Sequence, residues 1–156
     1  MFRIIRVIAA TAAAAALVFA PAASAATPST FYLQLKSGGC YSFTAVAKSA
    51  YSMDHTNKTL YQTSCTAKHH IQVIKAGTVS GTGELDNTQM GTYCSAAYVA
   101  TFHKNPPSAI KAGSLYLQWY YPDPGAEYLK FGRKAICFVL QSNYNYTQYS
   151  LLSKKF

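Results

Sequence analysis

The sequence predicts an α+β domain: a small antiparallel or mixed sheet packed on one main helix and held by two disulfides. Three observations support this fold class. Several short segments alternate apolar and polar residues, as strands do. One longer segment repeats its apolar residues every three or four positions, as a helix does. Four cysteines lie downstream of an export signal, in a chain bound for an oxidising compartment.

The N-terminus has the features of a secretory signal peptide. Arg3 and Arg6 give it a positive start, residues 7–20 carry no charge, and residues 23–25 (Ala-Ser-Ala) form a small-residue cleavage site. The uncharged stretch is shorter than the roughly 20 residues that a bilayer-spanning helix needs. Residues 1–25 are therefore predicted to be removed, which leaves no stable membrane span.

The remaining chain is predicted to be a single exported domain. Residues 26–30 form a short polar leader, and residues 31–156 suffice for one domain with a modest core. The cysteines predict two disulfides with three possible pairings; they are Cys40, Cys65, Cys94 and Cys137. A metal site that includes His69 and His70 fits less well, because the chain has no C-x2-C pair.

The first half of the domain is predicted to consist of short strands. A Ser-Gly-Gly turn at residues 37–39 interrupts the first of them, and residues 48–58 and 77–83 are predicted connecting loops. The predicted strand segments are residues 31–36, 40–43, 59–63 and 71–76.

Residues 87–104 are the predicted main helix. Asp86 or Asn87 can cap the first turn, Lys104 complements the negative end of the helix dipole, and Pro106 prevents continuation. The predicted inward stripe follows helical spacing and places one cysteine toward the sheet; its members are Met90, Tyr93, Cys94, Ala97, Tyr98, Thr101 and Phe102.

Two more strands are predicted after the helix. Residues 115–121 alternate as a two-faced strand and end at the Pro-Asp-Pro-Gly turn of residues 122–125. Residues 134–141 are apolar on both sides, which predicts a central strand. The sequence contains no internal repeat.

The composition is basic and rich in tyrosine. The chain has 14 Lys and Arg against five Asp and Glu, a formal net charge of +9. Such an excess attracts anionic wall polymers or lipid headgroups, although dispersed charge is also typical of a solubility device. A patch at Tyr144, Tyr146 and Tyr149 fits either a stacking surface for sugars or a buried strand face. No nucleic-acid-binding motif is present.

The sequence carries no catalytic signature such as G-x-S-x-G or H-E-x-x-H. Paired carboxylates for glycoside cleavage are unexpected with five acids, and Asp123 and Glu127 flank a turn. The cysteines are assigned to disulfides rather than to nucleophilic attack. We therefore predict no catalytic residue, no metal and no cofactor.

His69 is the polar residue with the clearest pair of alternatives. It stands shortly after Cys65, beside His70, at the start of a predicted strand. It is either a proton-exchanging contact at a binding surface or a structural histidine whose ring donates to a nearby backbone carbonyl. The sequence favours the structural alternative.

Four motifs occur in a fixed order between residues 33 and 140. They are Gly-Gly-Cys at 38–40, C-T-A-K-H-H-I-Q-V at 65–73, the helical Cys94, and F-G-R-K-A-I-C at 131–137, preceded by Tyr128. This order resembles the septum-formation domain family of actinobacterial secreted and membrane-anchored proteins. The family pattern has an acid at four positions that are occupied here by Gly39, His70, Gln72 and Gly132, so the corresponding surface becomes neutral to basic.

The resemblance implies a disulfide pairing and a set of binding residues. The pairing joins Cys40 to Cys65 and Cys94 to Cys137. The implied binding residues lie at aligned motif positions: His69 and Arg133 match the family pattern, whereas His70 stands where the family has an acid and Tyr128 where it has Trp.

The resemblance and the composition together predict a secreted, non-enzymatic protein of the cell envelope, extracellular or associated with the cell wall. It would bind a protein or an anionic wall polymer. A small secreted hydrolase or hydrolase inhibitor is the alternative, and it requires a pocket that joins His69 or His103 to a carboxylate or hydroxyl. An extracellular effector acting on membranes is a third possibility.

Overall fold

The structure is a computed structural model that describes residues 29–43, 59–108, 114–141, 147 and 150–153. Three predicted features lie outside these residues: the signal peptide, the loop at 48–58, and the patch of Tyr144, Tyr146 and Tyr149.

Six antiparallel strands form one sheet in the spatial order β1-β3-β2-β4-β6-β5. The strands are β1 (Ser29–Phe31), β2 (Cys40–Ser42), β3 (Thr59–Thr63), β4 (Ile71–Thr78), β5 (Leu115–Tyr120) and β6 (Lys134–Gln141). The helices are α1 (Asn87–Phe102) and the short α2 (Ala126–Phe131), and single 3-10 turns occur at Tyr32–Gln34 and Leu151–Ser153. One main helix on a small antiparallel sheet confirms the predicted α+β class.

Strand β6 separates two hydrophobic cores. Its side chains alternate between the faces, so that Ile136 and Phe138 contribute to one core while Cys137 and Val139 contribute to the other. All four are fully buried. A strand covered on both faces has no polar side, and this explains why residues 134–141 read as apolar throughout.

Helix α1 covers the second core and is attached covalently to β6. Its inward side chains Met90, Cys94 and Tyr98 are buried, and Cys94 forms a disulfide with Cys137. The predicted N-terminal cap is present, because the side chain of Asp86 accepts the backbone N–H of Gln89 at 2.7 Å. The helix ends at Phe102, two residues before the predicted end.

His103 explains where α1 stops. This residue has a φ of +56°, in the left-handed region, and its backbone N–H donates to the Val99 carbonyl at 2.8 Å. A left-handed residue at this point closes the last turn and prevents another from forming. Lys104 therefore lies beyond the helix, in the chain that leads to Pro106.

The first core is covered by the chain around Tyr32. The strand prediction for residues 31–36 is wrong there. Strand β1 ends at Phe31 and a 3-10 turn follows. Tyr32 and Leu33 are consecutive and both buried, whereas consecutive strand residues point to opposite faces. The turn lets both side chains enter the same core, and Leu35 joins them.

The sequence prediction missed helix α2, which follows the Pro-Asp-Pro-Gly turn. Its residue Glu127 accepts the backbone N–H of Asp123 at 3.1 Å, which supports the helix entry. Its last residue, Phe131, stacks on Phe31 with ring centroids 5.3 Å apart. The helix thus covers part of the first core and packs against β1, although the two segments lie far apart in the sequence.

Strand β4 contains a bulge at Ile74. Val73 lies opposite Phe138, but Lys75 lies opposite Cys137, so Ile74 is one residue more than the partner strand provides. The extra residue turns Lys75 toward the α1 side of the sheet. There its ammonium group lies 4.5 Å from the centroid of the Tyr93 ring.

The second disulfide joins Cys40 of β2 to Cys65, just after β3. Gln72 supports this end of the sheet, because its side-chain amide donates to the Gly38 carbonyl at 3.4 Å and contacts the Cys65 sulfur at 3.6 Å. Its carbonyl oxygen accepts from the backbone N–H of Leu152 at 3.2 Å. In the described parts of the chain, no helix has the length and apolar character needed to cross a membrane.

A candidate binding groove between the helix and the edge strand

The four implied binding residues do not meet in one place. His69 and His70 precede β4, whereas Arg133 precedes β6 and Tyr128 lies in α2. The two strands are antiparallel, with Ile71 opposite Leu140 at one end of the ladder and Thr78 opposite Lys134 at the other. At about 3.3 Å per residue, the two pairs lie roughly 25 Å apart.

His69 is fully buried, with 0 % of its surface exposed. Its ring nitrogen Nδ1 lies 2.8 Å from the Ala67 carbonyl, so the proton of the neutral ring belongs on Nδ1. Burial lowers the pKa of His69, against an opposing effect of that hydrogen bond. This geometry matches the structural alternative: a ring that donates to a neighbouring backbone carbonyl.

The surroundings of His69 hold the end of the sheet together. Its backbone exchanges hydrogen bonds with Thr147 in both directions, at 2.9 and 2.7 Å. His70 is 1 % exposed, and its ring packs on Phe43 with centroids 5.2 Å apart. Neither side chain faces solvent, so neither can reach a partner unless this end of the sheet opens.

Arg133 is 7 % exposed and organises the connection between β4 and α1. Its guanidinium donates to several backbone carbonyls of that connection, which belong to Val79, Ser80, Thr82, Gly83 and Glu84, and to the side-chain oxygen of Gln89. A planar group with five N–H donors suits a loop that wraps around it. Its donors are used inside the protein.

Tyr128 is half-buried on α2, and its carbonyl accepts the N–H of Gly132 at 2.7 Å. The implied residues are therefore parts of two separate ends of the sheet, and three of them are buried. These residues therefore do not form a surface that is open to a ligand.

The seam along which α1 packs against β5, called here the groove, is such a surface, with an aromatic cluster at one end and a cavity at the other. Strand β5 is the last strand of the described sheet, and α1 runs along it in the opposite direction. Asn87 at the start of α1 contacts Trp119 and Tyr121 near the end of β5, and Tyr98 and Leu115 line one cavity at the start of β5. The eleven residues between Asn87 and Tyr98 span about 16 Å.

One end of the groove presents two aromatic rings around an amide. The side-chain oxygen Oδ1 of Asn87 accepts from Trp119 Nε1 at 3.4 Å and from the Tyr121 hydroxyl at 3.2 Å. The indole N–H can only donate, which fixes the orientation of the amide. The Nδ2 group of Asn87 consequently keeps its two donors, and it has no other partner among the residues described.

Gly91 shapes the groove next to these rings. A Cβ placed there would lie 3.7 Å from the tip of the Trp119 ring, so a larger side chain would fill the space above it. Trp119 and Tyr121 are partly buried, and each keeps some of its surface open to solvent. A half-exposed aromatic face next to amide donors is the arrangement that a sugar ring requires, because it has apolar faces and a polar rim.

The other end of the groove is a cavity of about 160 Å³. Its lining combines apolar surface with an ammonium, an amide and a hydroxyl: Tyr98, Lys104, Asn105, Pro107, Ser114 and Leu115. Lys104 and Asn105 are exposed, whereas Tyr98 is buried and its pKa is raised by that burial. The cavity thus adds a cation to a groove that begins with aromatic rings.

Sequence reasoning missed this groove although part of the signal was present. The alternation in β5 places Leu115, Leu117, Trp119 and Tyr121 on one face. The role of Asn87 could not be read from it, because the residue was predicted as a helix cap and its aromatic partners are more than 30 positions away. Within the described ranges, no group of His, Cys, Asp and Glu is placed to hold a metal ion.

Comparisons with models of protein families, with curated proteins and with solved structures give no match to this chain. The groove between α1 and β5, with Asn87 between Trp119 and Tyr121, is therefore the basis on which its function is argued.

Proposed function

We propose that the chain is an exported, non-enzymatic binding module of the cell envelope that resembles septum-formation domains. Its α1–β5 groove binds an anionic, sugar-containing wall polymer. The module acts outside the cell or at the cell wall, and it needs no cofactor.

The observation that carries this proposal is the arrangement of Asn87, Trp119 and Tyr121. Both aromatic groups are held by the same amide oxygen, so their rings are oriented before any ligand arrives. Pre-organised groups lose little conformational freedom on binding. The amide donors that remain are available to a sugar hydroxyl or to an anionic oxygen.

The charge of the chain supports an anionic ligand. After residue 25, Lys and Arg outnumber Asp and Glu by 12 to five, and Lys104 lies at the cavity end of the groove. A polymer that carries both sugars and phosphates would place rings near Trp119 and charge near Lys104. Electrostatic attraction of this kind weakens as salt is added.

The disulfides support the resemblance to septum-formation domains. Cys40 pairs with Cys65 and Cys94 pairs with Cys137, which is the pairing that the resemblance implies. In this proposal the buried residues His69, His70 and Arg133 keep the scaffold in shape, while the groove residues contact the polymer.

The test replaces Asn87 by Asp. Asn87→Asp keeps the oxygen that accepts from Trp119 and Tyr121, and an acid in the first turn of a helix is favourable, so the fold is expected to persist. The change removes both amide donors and adds a negative charge at the groove. Thr88→Asp is the matched control, because it adds the same charge to the next, exposed residue of α1.

Binding is measured by co-sedimentation with purified cell walls, before and after extraction of their anionic polymers. We expect wild-type protein to bind intact walls, extraction or added salt to weaken binding, and Asn87→Asp to weaken it at least about tenfold. Thr88→Asp should change it less than about twofold, as a screened surface charge does. Equal losses in both variants, or binding that survives polymer extraction unchanged, would contradict the proposal.

A further inference from the structure

The sheet has two very different edges. Strand β1 is three residues long, and such short edge strands offer little to a neighbouring chain. Strand β5 is twice as long and contains no charged residue and no proline, which are two of the devices that protect an edge. Within the described residues it is the last strand of the sheet, paired on one side with β6.

We propose that β5 pairs with β5 of a second copy of this chain, antiparallel and about a two-fold axis at Gln118. The pairing would join the two sheets into one across the axis. The pairing shares Trp119 with the proposed polymer groove, but its central residue Gln118 lies opposite Phe138, on the sheet face away from α1.

The sequence of β5 is suited to pairing with itself. A two-fold axis perpendicular to the sheet keeps every side chain on its own face, so residues that oppose each other must share a face. With Gln118 opposite itself, Leu117 lies opposite Trp119 on the helix side, and Tyr116 lies opposite Tyr120 on the other side. Aromatic and aliphatic cross-strand pairs of this kind stabilise sheets.

The central residue is also suited to this position. A glutamine side chain carries both a donor and an acceptor, so two of them can hydrogen-bond to each other. Tyr116, Gln118 and Trp119 are only half-buried in the single chain, and they therefore have surface left to bury. No like charges meet, since β5 carries none.

The net charge of the chain decides how the association depends on salt. Without Arg3 and Arg6 of the predicted signal peptide, each copy keeps 12 Lys and Arg against five acids, a formal charge of +7, and two copies repel each other at long range. Added salt screens this repulsion and should strengthen the pairing. Binding to an anionic polymer should weaken under the same conditions, so the two proposals can fail separately.

The test uses two opposite charges at the axis. Gln118→Lys and Gln118→Glu each place like charges together and should weaken self-association about fivefold or more. An equimolar mixture should restore it as a heterodimer. Gln62→Lys and Gln62→Glu are the controls, because Gln62 is an exposed glutamine on β3, about 19 Å away across four strand spacings.

Sedimentation equilibrium up to about 1 mM protein gives the dissociation constants, and native mass spectrometry of the mixture identifies the heterodimer. We expect wild type and both Gln62 variants to dimerise alike. Both Gln118 variants should be largely monomeric alone and paired when mixed. A wild-type chain that stays monomeric, a Gln118 variant that dimerises as wild type does, or a mixture that does not pair would each overturn the proposal.

Discussion

The hydroxyl of Tyr32 donates a hydrogen bond to the carboxylate of Glu127, 95 positions further along the chain. This bond joins the 3-10 turn after β1 to helix α2, and both cover the same core. Tyr32 also packs edge-on against Tyr120, with ring centroids 5.0 Å apart. A polar contact at the rim of an aromatic cluster thus fixes two segments that the sequence pattern alone does not place.

The Tyr32–Glu127 bond should make stability fall above pH 10. Burial, followed by the hydrogen bond and charge of Glu127, raises the pKa of Tyr32 above its unfolded value of 10.0. Above that pH the unfolded chain releases the phenolic proton while the folded chain keeps it. The free energy of unfolding should therefore drop with pH, by at most about 1.4 kcal/mol per pH unit from this group.

Urea unfolding between pH 8 and about 11.5, spanning the tyrosine range, measures this dependence. Tyr32→Phe should flatten the decline and lower stability at pH 8 by about 1.5–3 kcal/mol, as expected for a hydrogen bond to a charged group. Tyr61→Phe on β3 is the control. The same slope in Tyr32→Phe and wild type would contradict the assignment.

His69 should make the protein less stable in acid. Burial lowers its pKa in the folded state below the unfolded value of 6.5. As the pH falls below 6.5 the unfolded chain takes up a proton that the folded chain refuses, so stability is lost on the acid side. His69→Asn should reduce this loss, because the amide can replace the donor to Ala67 without titrating.

The measurement is the thermal unfolding midpoint between pH 7.5 and 4.5, the range around the histidine value. His103→Asn is the matched control: His103 is exposed and left-handed, and asparagine tolerates that backbone conformation. If removal of His69 abolished binding to cell walls while leaving stability at every pH unchanged, the structural role would be wrong.

Arg133→Lys should destabilise the protein although it keeps the charge. A lysine has three donors on one point, whereas the guanidinium reaches carbonyls from Val79 to Glu84. Some of these carbonyls would lose a hydrogen bond to a charged group, at about 1.5–3 kcal/mol each. Chemical denaturation should show that the free energy of unfolding falls by about 2–4 kcal/mol in total. Amide hydrogen exchange should become faster in the connection between β4 and α1.

Lys134→Ala is the control for Arg133→Lys, because it removes the neighbouring charge. If the lysine variant were as stable as wild type, the positive charge at this position, rather than the geometry of the guanidinium, would be what holds the loop in shape.

The two disulfides should be reduced in a fixed order. Cys94 and Cys137 are both fully buried, whereas Cys65 is half-buried and opens the Cys40–Cys65 bond to a reducing agent. Thiol trapping followed by peptide mapping during mild reduction should detect free Cys65 first. The reverse order would mean that α1 detaches from β6 more readily than β2 opens.

Loss of each disulfide should be costly. The bonds span 25 and 43 residues of sequence. The chain-entropy relation gives roughly 3.5 and 4 kcal/mol for loops of these lengths. Paired Cys→Ala variants, compared by urea unfolding, should show the larger loss for Cys94 and Cys137.

Local patterns were sufficient to predict some elements. Helix α1 has a cap at Asp86 and several turns of helical spacing, and β6 is apolar on both sides because both of its faces are covered. The 3-10 turn at Tyr32 and helix α2 escaped prediction for a physical reason. They are too short for periodicity to show, and contacts such as Phe31 with Phe131 hold them in place across the length of the chain.

The candidate groove escaped prediction for a related reason. It depends on the order of strands in the sheet, which makes β5 an edge and brings Asn87 beside Trp119. The local sequence of neither segment specifies that Asn87 and Trp119 lie side by side. Arg133 was recognised as a motif residue, but its role inside a loop becomes apparent only from its carbonyl partners.

The bulge at Ile74 decides to which face of the sheet each later side chain of β4 points. A regular ladder that kept Ile74 would shift every later residue by one position, so Lys75 would lie opposite Ile136 and point into the aromatic core. A buried, unpaired ammonium there would be strongly unfavourable. The bulge therefore allows β4 to carry a lysine near its middle without burying the charge in that core.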